Sequence, residues 1–163
     1  MRLRRPSWRE NLGLPMNLRP YTADDLDAVV SIFRSNIPKY FGPIEEPGLR
    51  DFLAGERLEE YFVAEIGGEV IGAGGIALNE DETVSLCWGM IHADYLGTGL
   101  GRELTAFRIG KAREKFTDLP LVISTSQHTQ GFYEKLGFRL VSHTPDGFGP
   151  GLDICRMRME TAP

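Results

Sequence analysis

The chain is poor in several features that define other protein classes. Among its 163 residues there are two cysteines, Cys87 and Cys155, each inside an apolar strand-like run. Two thiols so placed form neither a disulfide framework nor a metal-type cluster, so no metal is expected; they read as buried, inert thiols in a reducing compartment. No apolar run reaches the roughly 18 residues of a membrane span, so no membrane partner is expected and a cytoplasmic location is. Basic charge is not in excess either. Lys and Arg total 18 against 23 Asp and Glu, a net charge of −5. That balance lacks the positive field a nucleic-acid partner needs. It suits an amine-bearing ligand, although the same charge also serves solubility. Internal repeats and low-complexity segments are missing as well.

Residues 1–15 stand apart. Arg2, Arg4, Arg5 and Arg9 surround Pro6 and Trp8, with no apolar core of a secretion signal. They read as a basic N-terminal arm, flexible or loosely docked, or as the product of an upstream start. Domain-like patterning begins at Met16, so residues 16–163 are expected to form one domain. The whole chain is 42% hydrophobic, 25% charged and 10% aromatic, ordinary values for a globular protein with a good core.

A short strand at Leu18 ends at Pro20. Thr22 then reads as a helix N-cap, with Asp24 and Asp25 at the positive end of the helix dipole. Leu26, Val29, Val30 and Phe33 recur at helical spacing, predicting a helix to about Asn36. A loop rich in proline and aromatics covers 37–47, and a short helix covers 48–53. Strands are expected at 61–66 and 69–78, joined by the tight turn Gly67-Gly68, and again at 83–91. A helix from 99 to about 116 turns Leu100, Leu104, Phe107 and Ile109 inward. A buried-type strand at 121–125, a helix around Tyr133, a strand at 138–142, a glycine-rich loop and a strand at 153–159 complete the chain. Hairpins followed by β-α-β crossovers give an α/β fold with a mixed sheet of about seven strands and about four flanking helices.

The most telling segment joins the 83–91 strand to the helix behind it. Gly97, Gly99 and Gly101 alternate there, just where a helix begins. Glycine lets a ligand approach the backbone closely, and the first N–H groups of a helix have no internal partner and carry partial positive charge. Strand, glycine loop and helix start together make a backbone cradle for phosphate. A P-loop would end in Gly-Lys-Ser/Thr, but Gly101 is followed by Arg102-Glu103. A dinucleotide fingerprint counted from Gly97 would need glycine where Arg102 stands.

The 93–101 segment resembles the acetyl-CoA loop of the GCN5-related N-acetyltransferases (GNAT), whose pattern is Arg/Gln-x-x-Gly-x-Gly/Ala. Gly99 and Gly101 match; Leu96 fills the Arg/Gln slot and departs from it. The 129–138 segment, with Tyr133, Gly137 and Phe138, resembles a second motif of that family, a helix carrying Tyr and ending in Gly-Phe. The resemblance runs from about Met16 to Met159. It implies a sheet splayed between its fourth and fifth strands, with the cofactor entering the split.

It also implies direct acyl transfer from acetyl-CoA to a primary amine on a small molecule, amino acid or peptide. Gly97, Thr98, Gly99, Leu100, Gly101 and Arg102 would supply amides to pyrophosphate. The edge around Met90 and Ile91 would pair with the pantetheine arm, and an amide there would serve the developing oxyanion. Tyr133 would protonate the leaving thiolate, and Ser126 would make a lesser cofactor contact. For the base, the carboxylate that one branch carries is replaced by Ser85. His92 falls where another branch has a histidine; Glu82 and a water chain remain open. Tyr40, Phe41, Glu45 and Glu46, with Asp146, Phe148 and Asp153, would line the acceptor pocket, unless the acids are merely solvated turn residues. Gly147, Gly149 and Gly151 suggest a mobile loop. A monomer or homodimer is expected. The competing reading is a non-catalytic acyl-CoA-binding or sensing domain of the same fold.

Overall fold

The structure, a computed structural model, describes residues 13–55 and 60–161. The expected arm at 1–15 thus lies outside the described residues up to position 12. Seven strands form one mixed sheet in the order β1-β2-β3-β4-β5-β7-β6. In chain order the elements are β1 (Asn17–Pro20), α1 (Leu26–Ser35), α2 (Glu46–Leu53), β2 (Tyr61–Ile66), β3 (Glu69–Leu78) and β4 (Val84–Ile91). There follow α3 (Leu100–Lys115), β5 (Leu121–Thr125), α4 (Gln130–Lys135), β6 (Arg139–Gly149) and β7 (Leu152–Met159).

Strand β2 is buried along nearly its whole length, because helices cover both faces of the sheet. On one face α1 and α2 pack Val29, Ile32, Phe33, Leu49 and Leu53 against Tyr61, Val63, Ala73 and Met90. On the other, Leu104 of α3 meets Ala64, Ile71 and Ile91. Around α3, α4, β5 and β7, Ala112, Leu121, Tyr133, Phe138 and Met157 form a third cluster. The start of α1 is fixed by charge. Arg19 of β1 bonds Asp25 at 2.7 and 2.8 Å and Glu65 of β2 at 2.9 Å. That guanidinium holds the Asp25 carboxyl below its ordinary range.

The split in the sheet is a matter of register. Strands β4 and β5 run parallel and pair only at Val84–Leu121 and Ser85–Val122. Beyond Ser85, β4 bends away. Its ladder with β3 slips between Ala73–Met90 and Gly75–Cys87, so β4 carries one residue more than β3 over that stretch. Trp88 takes a left-handed φ of 45° there. An extra residue on one strand bends it and sharpens its twist, and here the bend opens a wedge between β4 and β5.

One expectation is corrected. The glycine-rich stretch after Ser142 is not a mobile loop. Strand β6 continues through it to Gly149 and returns as β7 by a tight turn at 150–151. Gly147 sits so close to Ile154 that a Cβ there would lie 2.5 Å from Cγ1. Those glycines therefore let the hairpin close. The charged turn signals of the sequence masked this, since the Asp146 carboxylate accepts the Gly151 N–H at 2.7 Å and organises the turn from inside.

Candidate active site

A cleft of about 740 Å³ runs through the wedge. One end is the glycine loop. After β4, the His92 N–H donates to the Ile71 carbonyl at 2.7 Å. A single 3-10 turn at Ala93–Tyr95 follows, then Gly97 and Gly99 at φ of 77° and 86°. Only glycine adopts such angles readily, and Gly99 is the N-cap of α3. The helix's own bonding starts with the Glu103 N–H to the Gly99 carbonyl at 3.2 Å. The amides of Leu100, Gly101 and Arg102 are therefore left without intrahelical partners. A Cβ on Gly97 or Gly99 would meet nothing within 4 Å. Open space over unpaired amides at a helix start fits a diphosphate.

The middle of the cleft is walled by β4 and α4. Met90 and Ile91 line it. The Ile91 carbonyl accepts from Asn36 Nδ2 at 2.9 Å, and the Ala93 N–H reaches Ser35 Oγ at 3.0 Å. The end of α1 is thereby tied to the end of β4. Past Ser85 the edge of β4 that faces β5 has no strand beside it. Opposite stands Tyr133, 7% exposed, held edge-on between Phe132 and Phe138 at ring distances of 5.0 and 5.7 Å. Ser126 is buried and lines the same wall, but its Oγ accepts the His128 N–H at 3.3 Å in the turn that precedes α4.

The far end is aromatic and acidic. Tyr40, Phe41, Glu45 and Phe148 all line it. Phe41 stacks on Trp88 at 6.2 Å with a 24° tilt. Tyr40 meets His128 edge-on at 6.2 Å, joining the α1–α2 connection to the β5–α4 loop. Gln127 ties that loop to the hairpin, donating to the Gly151 carbonyl at 2.8 Å and accepting from the Asp153 N–H at 2.9 Å. Burial pushes the Glu45 carboxyl above its ordinary value, although the Gly42 N–H, 2.7 Å from Oε2, pulls the other way.

Seven expected residues fall outside the cleft lining: Thr98 and Leu100 of the glycine loop, and His92, Glu46, Asp146, Asp153 and Glu82. His92 caps the 3-10 turn, its Nδ1 accepting from the Asp94 N–H at 3.1 Å. Glu46 is spent on Arg34 at 2.6 Å and Arg50 at 3.3 Å. Asp146 and Asp153 belong to the hairpin, where Asp153 bonds His143 at 2.7 Å and the Asp146 N–H at 2.9 Å. Glu82 sits in an exposed turn at φ 61°. Ser85 does line the cleft, but its hydroxyl accepts from Asn79 at 2.8 Å. Sequence reasoning missed Asn36, Trp88, Arg108 and His128, which line the cleft from four separate segments. None stands in a motif. The signal for Arg108 was a charge at position 108, within the apolar face of α3, beside Leu104.

Comparison with known proteins agrees with this architecture. The family model of the acetyltransferase (GNAT) domain matches residues 43–161. Blasticidin-S acetyltransferase of Streptomyces morookaense is 34% identical over 73 residues, which are 40% of this chain and 53% of that protein. The match thus spans about half the length of that relative. Among solved structures, yncA from Salmonella typhimurium with its cofactor acetyl-CoA superposes with a TM-score of 0.71 at 20% identity, over 91% of this chain and 95% of that one. A GCN5-related N-acetyltransferase from Kribbella flavida gives 0.72 at 18% identity, over 89% and 97%. At such identities the likeness is one of fold.

Proposed function

This chain belongs to the GNAT acetyltransferase family, and from that premise we propose that it moves an acetyl group from acetyl-CoA directly to a primary amine. The observation that carries the reading is the continuity of the cleft, from the α3 start, past Tyr133, to the pocket of Tyr40, Phe41 and Glu45. Acetyl-CoA supplies an activated acyl group whose carbon–sulfur bond is exchanged for a carbon–nitrogen bond.

The chain's own residues divide the work. The amides of Gly97, Thr98, Gly99, Leu100, Gly101 and Arg102 hold the pyrophosphate. The free edge of β4 at Met90 and Ile91 receives the pantetheine amides as an added strand would, with Ser126 as a minor contact. Past Ser85 the β5-facing edge of β4 has no strand beside it, and a backbone N–H near Met90 or Ile91 can stabilise negative charge on the acyl oxygen. Tyr133 presents a phenolic proton to the departing sulfur. At the far end the aromatic rings hold the amine-bearing body, and Glu45 holds the amine and takes its proton. A carboxylate with a raised pKa is suited to that task. This reading moves the base from His92 to Glu45.

A domain that only binds acyl-CoA would have no use for a phenol and a carboxylate lining one cleft. The test is a panel of amines, amino acids and peptides with acetyl-CoA, reading free thiol release. Amine-dependent release is expected. Tight coenzyme A binding with no release across the panel would leave only the binding domain.

A further inference from the structure

One charge in the cleft has no counterpart. Arg108, on α3, is 1% exposed and lines the cleft. Its Nε and Nη1 are buried and bond to none of the described residues. Two glycines make its berth. A Cβ on Gly74 would lie 2.9 Å from Nε, and one on Gly89 would lie 2.7 Å from Cζ and 2.8 Å from Nη1. Strands β3 and β4 thus give up side chains where the guanidinium rests. The other buried ionic group among the described residues behaves differently, since Asp25 has Arg19 at 2.7 Å.

Two guanidinium nitrogens out of water and without a hydrogen bond are strongly unfavourable, so a partner is called for. The nearby protein groups do not provide one. The Tyr61 hydroxyl donates to the Trp88 carbonyl at 3.0 Å, and burial raises its pKa far above the usual phenol range despite the pull of Arg108. Burial likewise pushes the Cys87 thiol up to about 11, against the same pull. Both groups are neutral at physiological pH. Glu45, the carboxylate of the cleft lining, accepts from the Gly42 amide and makes no bond to Arg108 Nε or Nη1. The cleft therefore holds a fixed cation and leaves its counter-anion to the ligand. Planar carboxylates match the guanidinium fork.

Resting on the acetyltransferase reading of the same cleft, we propose that Arg108 recognises a carboxylate carried by the ligand. Two sources share that chemistry: the free end of a dicarboxylic acyl thioester such as succinyl-CoA, and the α-carboxylate of an amino-acid acceptor. The bonds broken and formed are those of acetyl transfer in either case, and the carboxylate takes no part in the step.

The experiment uses the full chain in two arms. One compares succinyl-CoA with acetyl-CoA on a common amine. The other compares amino acids with their decarboxylated amines, using acetyl-CoA. A preference in kcat/KM of about tenfold or more for the carboxylate is expected in one arm, the scale of one hydrogen bond to a charged group. In Arg108→Gln that ratio should fall toward one, with partial recovery in Arg108→Lys. Should Arg108→Gln fail to fold, the wild-type ratio decides, together with a larger thermal upshift by succinyl-CoA than by acetyl-CoA, or by an N-acetyl amino acid than by its decarboxylated counterpart. Equal ratios and equal upshifts in both arms, as an ordered water beside Arg108 would give, overturn the proposal. So does a preference that survives in folded Arg108→Gln. Vigorous acetyl transfer without preference removes Arg108 alone, whereas coenzyme A binding without transfer to any amine removes the acetyltransferase reading itself.

Discussion

The two ends of the cleft are made of different material. The cradle end is backbone: three glycines, a helix start and amides without internal partners, all within six consecutive residues. The acceptor end is side chains, brought from the α1–α2 connection, the β4 bend, the β5–α4 loop and the tip of β6. A backbone site constrains local sequence strongly, because only glycine provides both the angles and the clearance. A side-chain site constrains each contributing segment weakly, and its members meet only after folding. The first kind of site holds what is common to a reaction class, and the second is free to vary with the acceptor.

Tyr133 stands between the two ends, so the largest effect is expected there. Tyr133→Phe should lower kcat by about 10²–10⁴, the range of a lost general acid, with coenzyme A affinity little changed. Its ring packing on Phe132 and Phe138 survives the substitution. A steady-state comparison decides, and wild-type turnover in the variant would reduce Tyr133 to packing.

The cradle is broken most cleanly at Gly101. Gly97 and Gly99 have left-handed φ values, so any side chain there strains the loop as well as filling it. At Gly101 the angle is ordinary helix, and a Cβ would make a 3.7 Å contact with Ile91 Cγ1. Gly101→Glu places a like charge beside the pyrophosphate without that strain. Coenzyme A affinity should drop on the order of a hundredfold by calorimetry, two tenfold steps of about 1.4 kcal/mol each, with an unchanged circular dichroism spectrum. Unaltered affinity in the folded variant would dissolve the contrast between the two ends.

What could be read from the sequence follows the same division. Strands β2 to β5 were legible because they are apolar runs bounded by turn signals, and the wedge was an implication of the resemblance that the glycine loop carries. The long β6–β7 hairpin was not, since Pro145, Asp146, Gly147 and Gly149 carry loop chemistry while Gly147 in fact makes room for Ile154. Tyr40, Phe41, Glu45 and Phe148 did come to line one cleft. Asp146 and Asp153 did not, because acids near a turn are consumed by the turn's own amides. Arg108 was missed for another reason: its one signal, a charge on the apolar face of α3 four residues after Leu104, is faint in a helix of mixed composition.

On the acceptor side the expected change is in pH dependence more than in rate. A protonated carboxyl cannot take a proton, and burial raises the pKa of Glu45. Thus kcat/KM should rise with pH through an apparent pKa above the ordinary glutamate value of about 4.3. Glu45→Gln should abolish that limb and lower kcat/KM on the plateau by roughly 10²-fold, the low end for a lost base. If KM rises while the limb persists, Glu45 merely binds the ammonium ion and another group takes the proton. The amine's own titration mimics such a limb, so acceptors of different basicity must be compared.

The smallest effect is expected at His92, and it is the most discriminating. By sequence this residue adjoins Ile91 and the pantetheine-pairing edge. In the fold its ring turns away to cap the 3-10 turn, accepting the Asp94 N–H at 3.1 Å, and it does not line the cleft. A capping residue contributes about 1 kcal/mol to stability and nothing to proton transfer. His92→Ala should therefore lower thermal stability slightly, keep kcat/KM within about twofold, far inside the range of a lost base, and leave the pH profile superimposable on that of wild type. A lost acidic limb in this variant would return the base to His92 and the β4–α3 junction. The backbone end of the cleft would then carry acceptor chemistry too, and the separation of the two ends would fail where sequence adjacency made it hardest to see.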